Sequence, residues 1–268
     1  MTMPSLRIEE DLKRIRTESP LIHNITNFVA MNITANALLA VGASPVMAHA
    51  VEEVEEMVRI ANALVINIGT LSTPWIEAMF KAGREARKRG IPVVFDPVGA
   101  GATRMRTETA RAFIAEVRPD IVRGNASEIL ALRRDEAAAK GVDSRHAAED
   151  ALEAGRELAS EHGLVVSISG AVDFVVDRDS LVRIANGHEI MPRVTGLGCT
   201  ASALTGAFAA VDPSRLHAAA AAMAVMGIAG EIAAASSRGP ASFQTAFIDA
   251  LFHLSDTEIR SRLRIEGP

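Results

Sequence analysis

The chain has 268 residues, of which 49% are hydrophobic and 23% are charged, and its net charge is −5. This length fits one large α/β domain or two small ones. The acidic balance, with only 4% aromatic residues, excludes the basic surface and stacking platform of nucleic-acid-binding proteins, and a single cysteine excludes a disulfide framework and multi-cysteine metal sites.

The first third of the chain alternates helical and strand-like patterns. A charged amphipathic helix is predicted over residues 6–16, which lack the apolar core of a signal peptide. Residues 21–27 are interpreted as a polar lead-in, with Asn24 and Thr26 as N-cap candidates for the next helix. The further predicted segments are helices over 29–40, 52–60 and 74–89, and strands over 44–48, 63–68 and 92–96.

The remaining segments continue this alternation and then change character. Helices are predicted over 107–117, 127–133 and 144–161, and strands over 120–123 and 164–168. Residues 173–177, 181–184 and 189–191 then read as antiparallel strands. Helical patterns over 200–211, 213–236 and 240–254, with a short last helix, complete the chain.

Repeated strand–helix units predict the α/β class, with a central, mostly parallel sheet, helices on both faces and a late antiparallel hairpin edge. We expect one domain over residues 1–268, because the charged, alanine-rich seam at 133–144 is too short to require a boundary. The apolar stretch 216–235 is mostly alanine and contains Glu231, so a buried core helix is favoured over a membrane span. The single cysteine and the lack of a signal peptide favour a cytoplasmic location.

Ligands of open α/β sheets bind beyond the carboxyl ends of the strands. In this sequence those ends hold polar and glycine-rich groups. They are Met47, residues 67–69, residues 96–99, residues 123–125 and residues 169–170.

The turn formed by Gly196 and Gly198 opens a predicted helix, which makes it a candidate anion site for phosphate. Cys199 follows immediately and has three possible roles: a buried hydrophobe, a covalent nucleophile, or a polar group beside a phosphate-accepting oxygen. A helix N-terminus lowers the pKa of a thiol, which argues against the inert role. The nucleophile would require an oriented histidine, and the seven histidines are scattered.

Two carboxylates and an arginine accompany this turn. Asp96 ends a predicted strand, and Glu128 lies in the first turn of a later helix, so both are candidates to hold Mg²⁺ beside phosphates. The alternatives are a loop aspartate and a capping box between Asn125 and Glu128. Arg123 offers a fork for phosphate, and Ser169 offers a hydroxyl, although turn chemistry explains Ser169 equally well. Together these groups are typical of phosphoryl transfer.

Six segments, in order over nearly the whole chain, make the sequence resemble the hydroxyethylthiazole kinase family of the ribokinase-like group. They are residues 21–27 (LIHNITN), 44–50 (SPVMAHA), 67–70 (NIGT), 96–103 (DPVGAGAT), 123–128 (RGNASE) and 195–199 (TGLGC).

The resemblance implies ATP- and Mg²⁺-dependent phosphorylation of 4-methyl-5-(2-hydroxyethyl)thiazole. It implies a homotrimer with pockets between subunits, so that Asn24 and His49 are candidates to face a partner's site. The roles it implies are a catalytic Cys199, substrate contacts at Met47, Asn24, Gly196 and Gly198, ATP contacts at Arg123 and Ser169, and metal ligands at Asp96 and Glu128.

Two departures qualify the resemblance. Leu197 stands where a small polar residue is common, which a site built from backbone N–H groups tolerates. Cys199 stands where the wider group has aspartate, so we expect the thiol to orient the alcohol, with a modest share in proton removal.

The alternatives are another small-alcohol kinase of the hydroxymethylpyrimidine or pyridoxal type, an ATP-dependent dehydratase of hydrated nicotinamide cofactors, and a non-enzymatic nucleotide-binding domain. Cys199 argues against the dehydratase, which has aspartate at the glycine turn.

Overall fold

The computed structural model describes residues 7–133 and 144–266. Within them the strands are β1 Leu21–Ile25, β2 Ser44–Val46, β3 Ala63–Asn67, β4 Val93–Asp96, β5 Ile121–Asn125, β6 Val165–Ser169, β7 Asp173–Val176, β8 Leu181–Ile184 and β9 Ile265–Glu266. The helices are α1 Ile8–Glu18, α2 Met31–Val41, α3 Val54–Ile60, α4 Thr73–Arg89, α5 Arg104–Val117, α6 Ala126–Arg133, α7 Ser144–His162, α8 Leu197–Val211, α9 Arg215–Ser236, α10 Pro240–His253 and α11 Asp256–Arg262.

The described strands form one sheet in the order β2-β1-β3-β4-β5-β6-β7-β8-β9. The first six strands of this order are parallel, and β7, β8 and β9 are added antiparallel at one edge. This arrangement confirms the predicted α/β class with its late antiparallel edge. The interior of the seam predicted at 133–144 lies outside the described residues.

Helices cover both faces of the sheet, as the near-continuous apolar strands require. One buried cluster joins the sheet to α1, α2, α8, α9, α10 and α11, and the other joins it to α3, α4, α5, α6 and α7. Helix α8 lies directly against β1, β3 and β4. Gly206 permits that approach, because a Cβ atom there would stand 2.5 Å from Cγ2 of Val65.

The segment interpreted as a lead-in is in fact the buried strand β1. It was missed because His23 and Asn24 interrupt its apolar pattern, yet both side chains are buried. The N-cap prediction for Asn24 and Thr26 is also wrong: α2 begins at Met31, and Asn27 Oδ1 accepts a hydrogen bond from the Ala30 N–H instead.

The third predicted hairpin strand, at 189–191, is also wrong. A 3₁₀ turn, Met191–Arg193, occupies this region, and Pro192 lies inside it. The strand that pairs with β8 is β9, a two-residue segment near the end of the chain. Such a short partner leaves too little periodicity to be recognised in a sequence.

Helix α9 is long and apolar enough to cross a membrane by length and composition, and among the described residues one helix meets that test. It is instead mostly buried, with 78% of its most apolar window inside the protein. It packs against α8, α10 and the strands β6, β7 and β8. These contacts fit the predicted core helix.

Candidate active site

The carboxyl ends of the six parallel strands meet at one edge of the sheet, and the predicted segments lie there together. Asn67 ends β3 and is paired with Asp96, the last residue of β4. Asn125 and Ser169 form the corresponding pair at the ends of β5 and β6. The start of α8 lies over this edge, since Ser202, in its second turn, contacts Asp96.

The glycine turn opens α8 as the sequence predicts, but the helix begins three residues earlier than expected, at Leu197. Gly196 is its N-cap in the left-handed conformation, with φ +83°, and a Cβ atom there would stand 2.9 Å from Cγ2 of Ile33. Cys199 therefore lies in the first helical turn, where backbone N–H groups have no partner within the helix. This geometry suits an anion.

A chain of buried side-chain hydrogen bonds connects the thiol to the end of the sheet. Asn27 Nδ2 donates to Cys199 Sγ at 3.1 Å and to Asn67 Oδ1 at 2.9 Å. Asn67 Nδ2 donates to Asp96 Oδ2 at 2.9 Å, and the Ser202 hydroxyl donates to the same oxygen at 2.6 Å. The loops after β1, β3 and β4 are thereby held against α8.

The environment of Cys199 corrects one expectation. Burial raises the pKa of the Cys199 thiol, and the neighbouring Asp96 carboxylate adds to the rise. The amides of Asn27 and Asn67 and the charge of Arg123 oppose it without reversing it. The lowering expected from the helix N-terminus therefore does not prevail, and the thiol remains protonated at neutral pH.

One carboxyl oxygen of Asp96 is hydrogen-bonded and the other has no partner. Its side chain is 1% exposed, its Oδ2 accepts the two hydrogen bonds described above, and its Oδ1 has no partner. Burial raises the pKa of this carboxyl to about 7, against the opposing charge of Arg123 and the Ser202 hydrogen bond. An oxygen that is buried and unpaired can accept a cation or a proton donor from a ligand.

Glu128 forms the capping box that the sequence offered as an alternative. Asn125 Oδ1 accepts from the Glu128 N–H at 3.0 Å, and Glu128 Oε2 accepts from the Asn125 N–H at 2.8 Å. Its other oxygen, Oε1, accepts from the Gly99 N–H at 2.9 Å. The carboxylate thus fixes the glycine loop after β4, and each oxygen keeps a further lone pair.

Arg123 is buried on β5 between these acidic groups and the glycine turn. Its Nη1 donates to the Gly198 carbonyl at 3.0 Å, while its Nε has no partner. Its charge lowers the pKa of Asp96 and of Asp173, although burial still raises that of Asp173 to about 6. The guanidinium thus supplies positive charge directly below the turn.

The comparisons with known proteins agree with this arrangement. A model of the hydroxyethylthiazole kinase family matches residues 12–257. The chain is 59% identical over 255 residues to a hydroxyethylthiazole kinase of Syntrophus aciditrophicus, covering 95% of this chain and 94% of that one. The chain belongs to the hydroxyethylthiazole kinase family.

Solved structures confirm both the family and the ribokinase-like fold. A hydroxyethylthiazole kinase protein from Pyrococcus horikoshii is 45% identical, with a TM-score of 0.89, and the match covers 97% of this chain and 98% of that one. A pyridoxal kinase from Staphylococcus aureus is 17% identical, with a TM-score of 0.61 over 79% of this chain and 87% of that one, which shows the shared fold alone. Membership of this kinase family confirms the resemblance drawn from the six segments.

The other site residues predicted from the sequence differ in burial and in their contacts. Met47 is half-buried just after β2, and Ser169 is half-buried at the end of β6, where its hydroxyl donates to the Gly124 carbonyl at 3.4 Å. Asn24 is 1% exposed, and its Nδ2 donates to the Ile22 carbonyl of the same strand. From this segment it is Asn27, and not Asn24, that reaches Cys199.

Four polar residues of the site received no individual role in the sequence analysis: Asn27, Asn67, Ser202 and Arg106. Arg106 Nη1 donates to the carbonyls of Ile68 and Val98 at 2.9 and 2.7 Å, and its Nη2 donates to that of Gly69 at 2.7 Å. It therefore joins the loops after β3 and β4. The sequence analysis selected Asn67 only as part of the strand-end segment 67–69, and nothing in the sequence singles out Arg106.

Proposed function

We propose that this protein phosphorylates the hydroxyethyl group of 4-methyl-5-(2-hydroxyethyl)thiazole with ATP, forming the thiazole phosphate used in thiamine salvage. The observation that carries the proposal is the opening of α8. There Cys199 and the unpaired N–H groups of the first turn lie beside the Arg123 guanidinium and the Asp96 carboxyl. This is an arrangement for positioning an alcohol next to a transferring phosphoryl group.

The N–H groups that follow Gly196 and Gly198 are assigned to the phosphoryl group in transfer. Preorganised backbone donors stabilise charge as it develops on the phosphoryl oxygens. Leu197 fits this assignment, because its side chain is 5% exposed and packs in the core, which leaves its backbone for the ligand. The departure from a small polar residue at this position therefore needs no compensating side chain.

Mg²⁺ is assigned to Asp96 and Glu128. The residues fit the ion: Asp96 Oδ1 is buried and unpaired, and Glu128 keeps lone pairs although both its oxygens accept backbone N–H groups. Among the described residues no group of three or more His, Cys, Asp or Glu side chains could hold a metal. An ion bound there would complete its coordination with water and phosphate oxygens, as Mg²⁺ commonly does, and would neutralise phosphate charge.

Arg123 and Ser169 are assigned to ATP. Arg123 has a free Nε, and Ser169 lies at the end of the neighbouring strand with a weak 3.4 Å hydrogen bond that a phosphate could replace. Cys199 is assigned to orienting the alcohol. A thiol with a raised pKa is a poor proton acceptor, so most of the proton removal falls to the phosphoryl oxygens or to water.

We also propose a single domain, a cytoplasmic location and a homotrimer with pockets between subunits. The single sheet formed by all described strands supports the single domain, and a single cysteine, which fits a reducing compartment, supports the cytoplasmic location. The exposed apolar side chain of Val29, which is 62% exposed near the site, supports a neighbouring subunit at this edge. Met47 and the two turn glycines are assigned to the thiazole, as is Asn24, through its unpaired Oδ1.

The test is turnover with ATP and Mg²⁺ on a panel of alcohols containing the thiazole, a hydroxymethylpyrimidine and pyridoxal. We expect the thiazole alcohol to be preferred, and calorimetry should show that it binds in the presence of a non-hydrolysable ATP analogue. Phosphorylation of pyridoxal or the pyrimidine in preference to the thiazole, or no thiazole binding, would refute the proposed substrate.

Variants at Cys199 test its role. We expect Cys199→Ala to lower kcat while the affinity for the ATP analogue stays within twofold, because the nucleotide contacts lie on β5 and β6. Cys199→Asp should retain or raise kcat, because a carboxylate there accepts a proton more readily and can keep the hydrogen bond from Asn27. A folded but inactive Cys199→Asp would show that the proton-acceptor analogy is wrong.

A further inference from the structure

Three aromatic rings meet at the edge of the site, on the loops that follow three neighbouring strands. Phe28 follows β1, His49 follows β2, and Trp75 lies in the first turn of α4, after β3. The ring centroids of His49 and Trp75 are 4.4 Å apart, and those of Phe28 and Trp75 are 4.9 Å apart. Trp75 is 7% exposed, whereas Phe28 is 65% exposed, so Trp75 supports a ring that faces solvent.

This aromatic cluster of Phe28, His49 and Trp75 adjoins the segment that contacts the thiol. Phe28 directly follows Asn27, whose side chain donates to Cys199 Sγ at 3.1 Å. The Phe28 N–H donates to the hydroxyl of Thr70 at 3.4 Å, which ties this backbone to the loop after β3. An alcohol held at Cys199 would therefore lie beside the backbone segment that carries Phe28.

We propose that the aromatic cluster binds the heteroaromatic ring of the alcohol substrate and selects aromatic over saturated alcohols. The inference rests on the proposed function and adds the surface that determines specificity. Three bonds of about 1.5 Å each separate the hydroxyl oxygen of a two-carbon arm from its ring, so a hydroxyl at the thiol keeps the attached ring in the neighbourhood of Phe28. Aromatic rings attract one another in stacked and edge-to-face arrangements, which a saturated ring cannot reproduce.

An exposed phenylalanine would also fit a contact with a second copy of the chain. The small ligand is favoured because the Phe28 ring is held by two other rings and adjoins the hydrogen-bonded chain that reaches the thiol. A subunit contact requires neither feature. The two occupants predict different results for the same variant.

The first test uses the intrinsic fluorescence of Trp75, the only tryptophan of a chain without tyrosine. Titration with the thiazole alcohol should give a saturable change in Trp75 emission, because the ligand ring would alter the surroundings of Phe28 and His49. A non-hydrolysable ATP analogue alone should change it much less. Unchanged emission at alcohol concentrations that saturate turnover would refute the inference and leave the proposed function intact.

The second test compares Phe28→Leu with Phe252→Leu, a matched control on α10 that is 63% exposed. We expect Phe28→Leu to raise KM for the thiazole alcohol about two- to tenfold, the value of one aromatic pair, with kcat and KM for ATP within twofold. In Phe28→Leu, the ratio of kcat/KM for the thiazole alcohol to kcat/KM for a saturated ring alcohol of equal size should fall by the same factor. Phe252→Leu should leave all of these values unchanged.

Two results would overturn the proposal. One is an unchanged preference and KM in Phe28→Leu. The other is a loss of oligomer mass in Phe28→Leu that accounts for any change in activity, since that would assign the ring to a second copy. If no thiazole phosphate forms even with the unaltered protein, the proposed function fails first.

Discussion

A pair of buried carboxyl groups far from the candidate site should make stability depend on pH in an unusual direction. Asp11 on α1 and Asp212 at the end of α8 are 3% and 1% exposed, and the Asp212 carboxyl is near enough to act on the pKa of Asp11. Burial, followed by the nearby charge of Asp212, raises the pKa of Asp11 from 3.8 to about 7, although Arg7 and Arg14 oppose the shift. The folded protein therefore retains a proton that the unfolded chain releases.

The sign and size of the effect follow from this difference. Between about pH 4 and pH 7 the folded state binds more protons than the unfolded state, so the free energy of unfolding falls as pH rises through this window. A shift of about three units corresponds to at most about 4 kcal/mol. Because Asp11 adjoins the half-exposed Arg7, solvent relaxation reduces this free energy, and we expect the stability to change by about 1–3 kcal/mol.

Asp11→Asn removes the titrating group, and its amide can donate to Asp212 Oδ2, which has no hydrogen-bond partner. We expect the variant to exceed the unaltered protein in stability by about 1–3 kcal/mol at pH 8, with the gap closing towards pH 5. Urea unfolding at several pH values measures this, and Glu10→Gln, which removes an exposed carboxylate one residue away, is the control. A variant that is less stable at pH 8, or that keeps the original pH slope, would contradict the reasoning.

Two further predictions concern packing and loop position. Gly206→Ala should lower the free energy of unfolding by about 1–3 kcal/mol despite the helix preference of alanine, because its Cβ atom would meet Val65. Gly239→Ala has open space around it and should lose only the N-cap preference of glycine, less than about 1 kcal/mol. Equal melting temperatures for the two variants would contradict this reasoning. Arg106→Lys should lower kcat/KM at least about tenfold, because a single ammonium cannot hold the carbonyls of both loops and each lost hydrogen bond is worth about 1 kcal/mol. An unchanged kcat/KM would show that the two loops keep their positions without the Arg106 guanidinium.

Local patterns were sufficient for most elements. Glycines end α2 and α4 in the left-handed conformation, at Gly42 and Gly90, next to the ends predicted for helices 29–40 and 74–89. Apolar runs were sufficient for β3, β4 and β6. They failed at β1, since a strand that buries His23 and Asn24 has no apolar signature, and at β9, whose two residues pair only through a distant contact.

Some features of the candidate site could likewise be predicted from local patterns, and others could not. Glycine turns, strand-end carboxylates and Arg123 are visible in the sequence because their residue types and positions are unusual. The pKa of Cys199 was not, because the burial that raises it comes from segments far along the chain. The Glu128 carboxylate was predictable in part: the sequence indicates its capping box, but it does not indicate the hydrogen bond from the Gly99 N–H.

The sequence by itself determined the α/β class, the order of the segments at the carboxyl edge of the sheet and the family, since each depends on local periodicity or on motifs. The tertiary structure alone decided which groups meet at Cys199, how Arg106 joins two loops, and that Phe28 rests on Trp75. Those contacts join residues that lie up to 172 positions apart in the chain. Their partners are chosen by the packing of α8 and of the loops on the sheet, which no local pattern encodes.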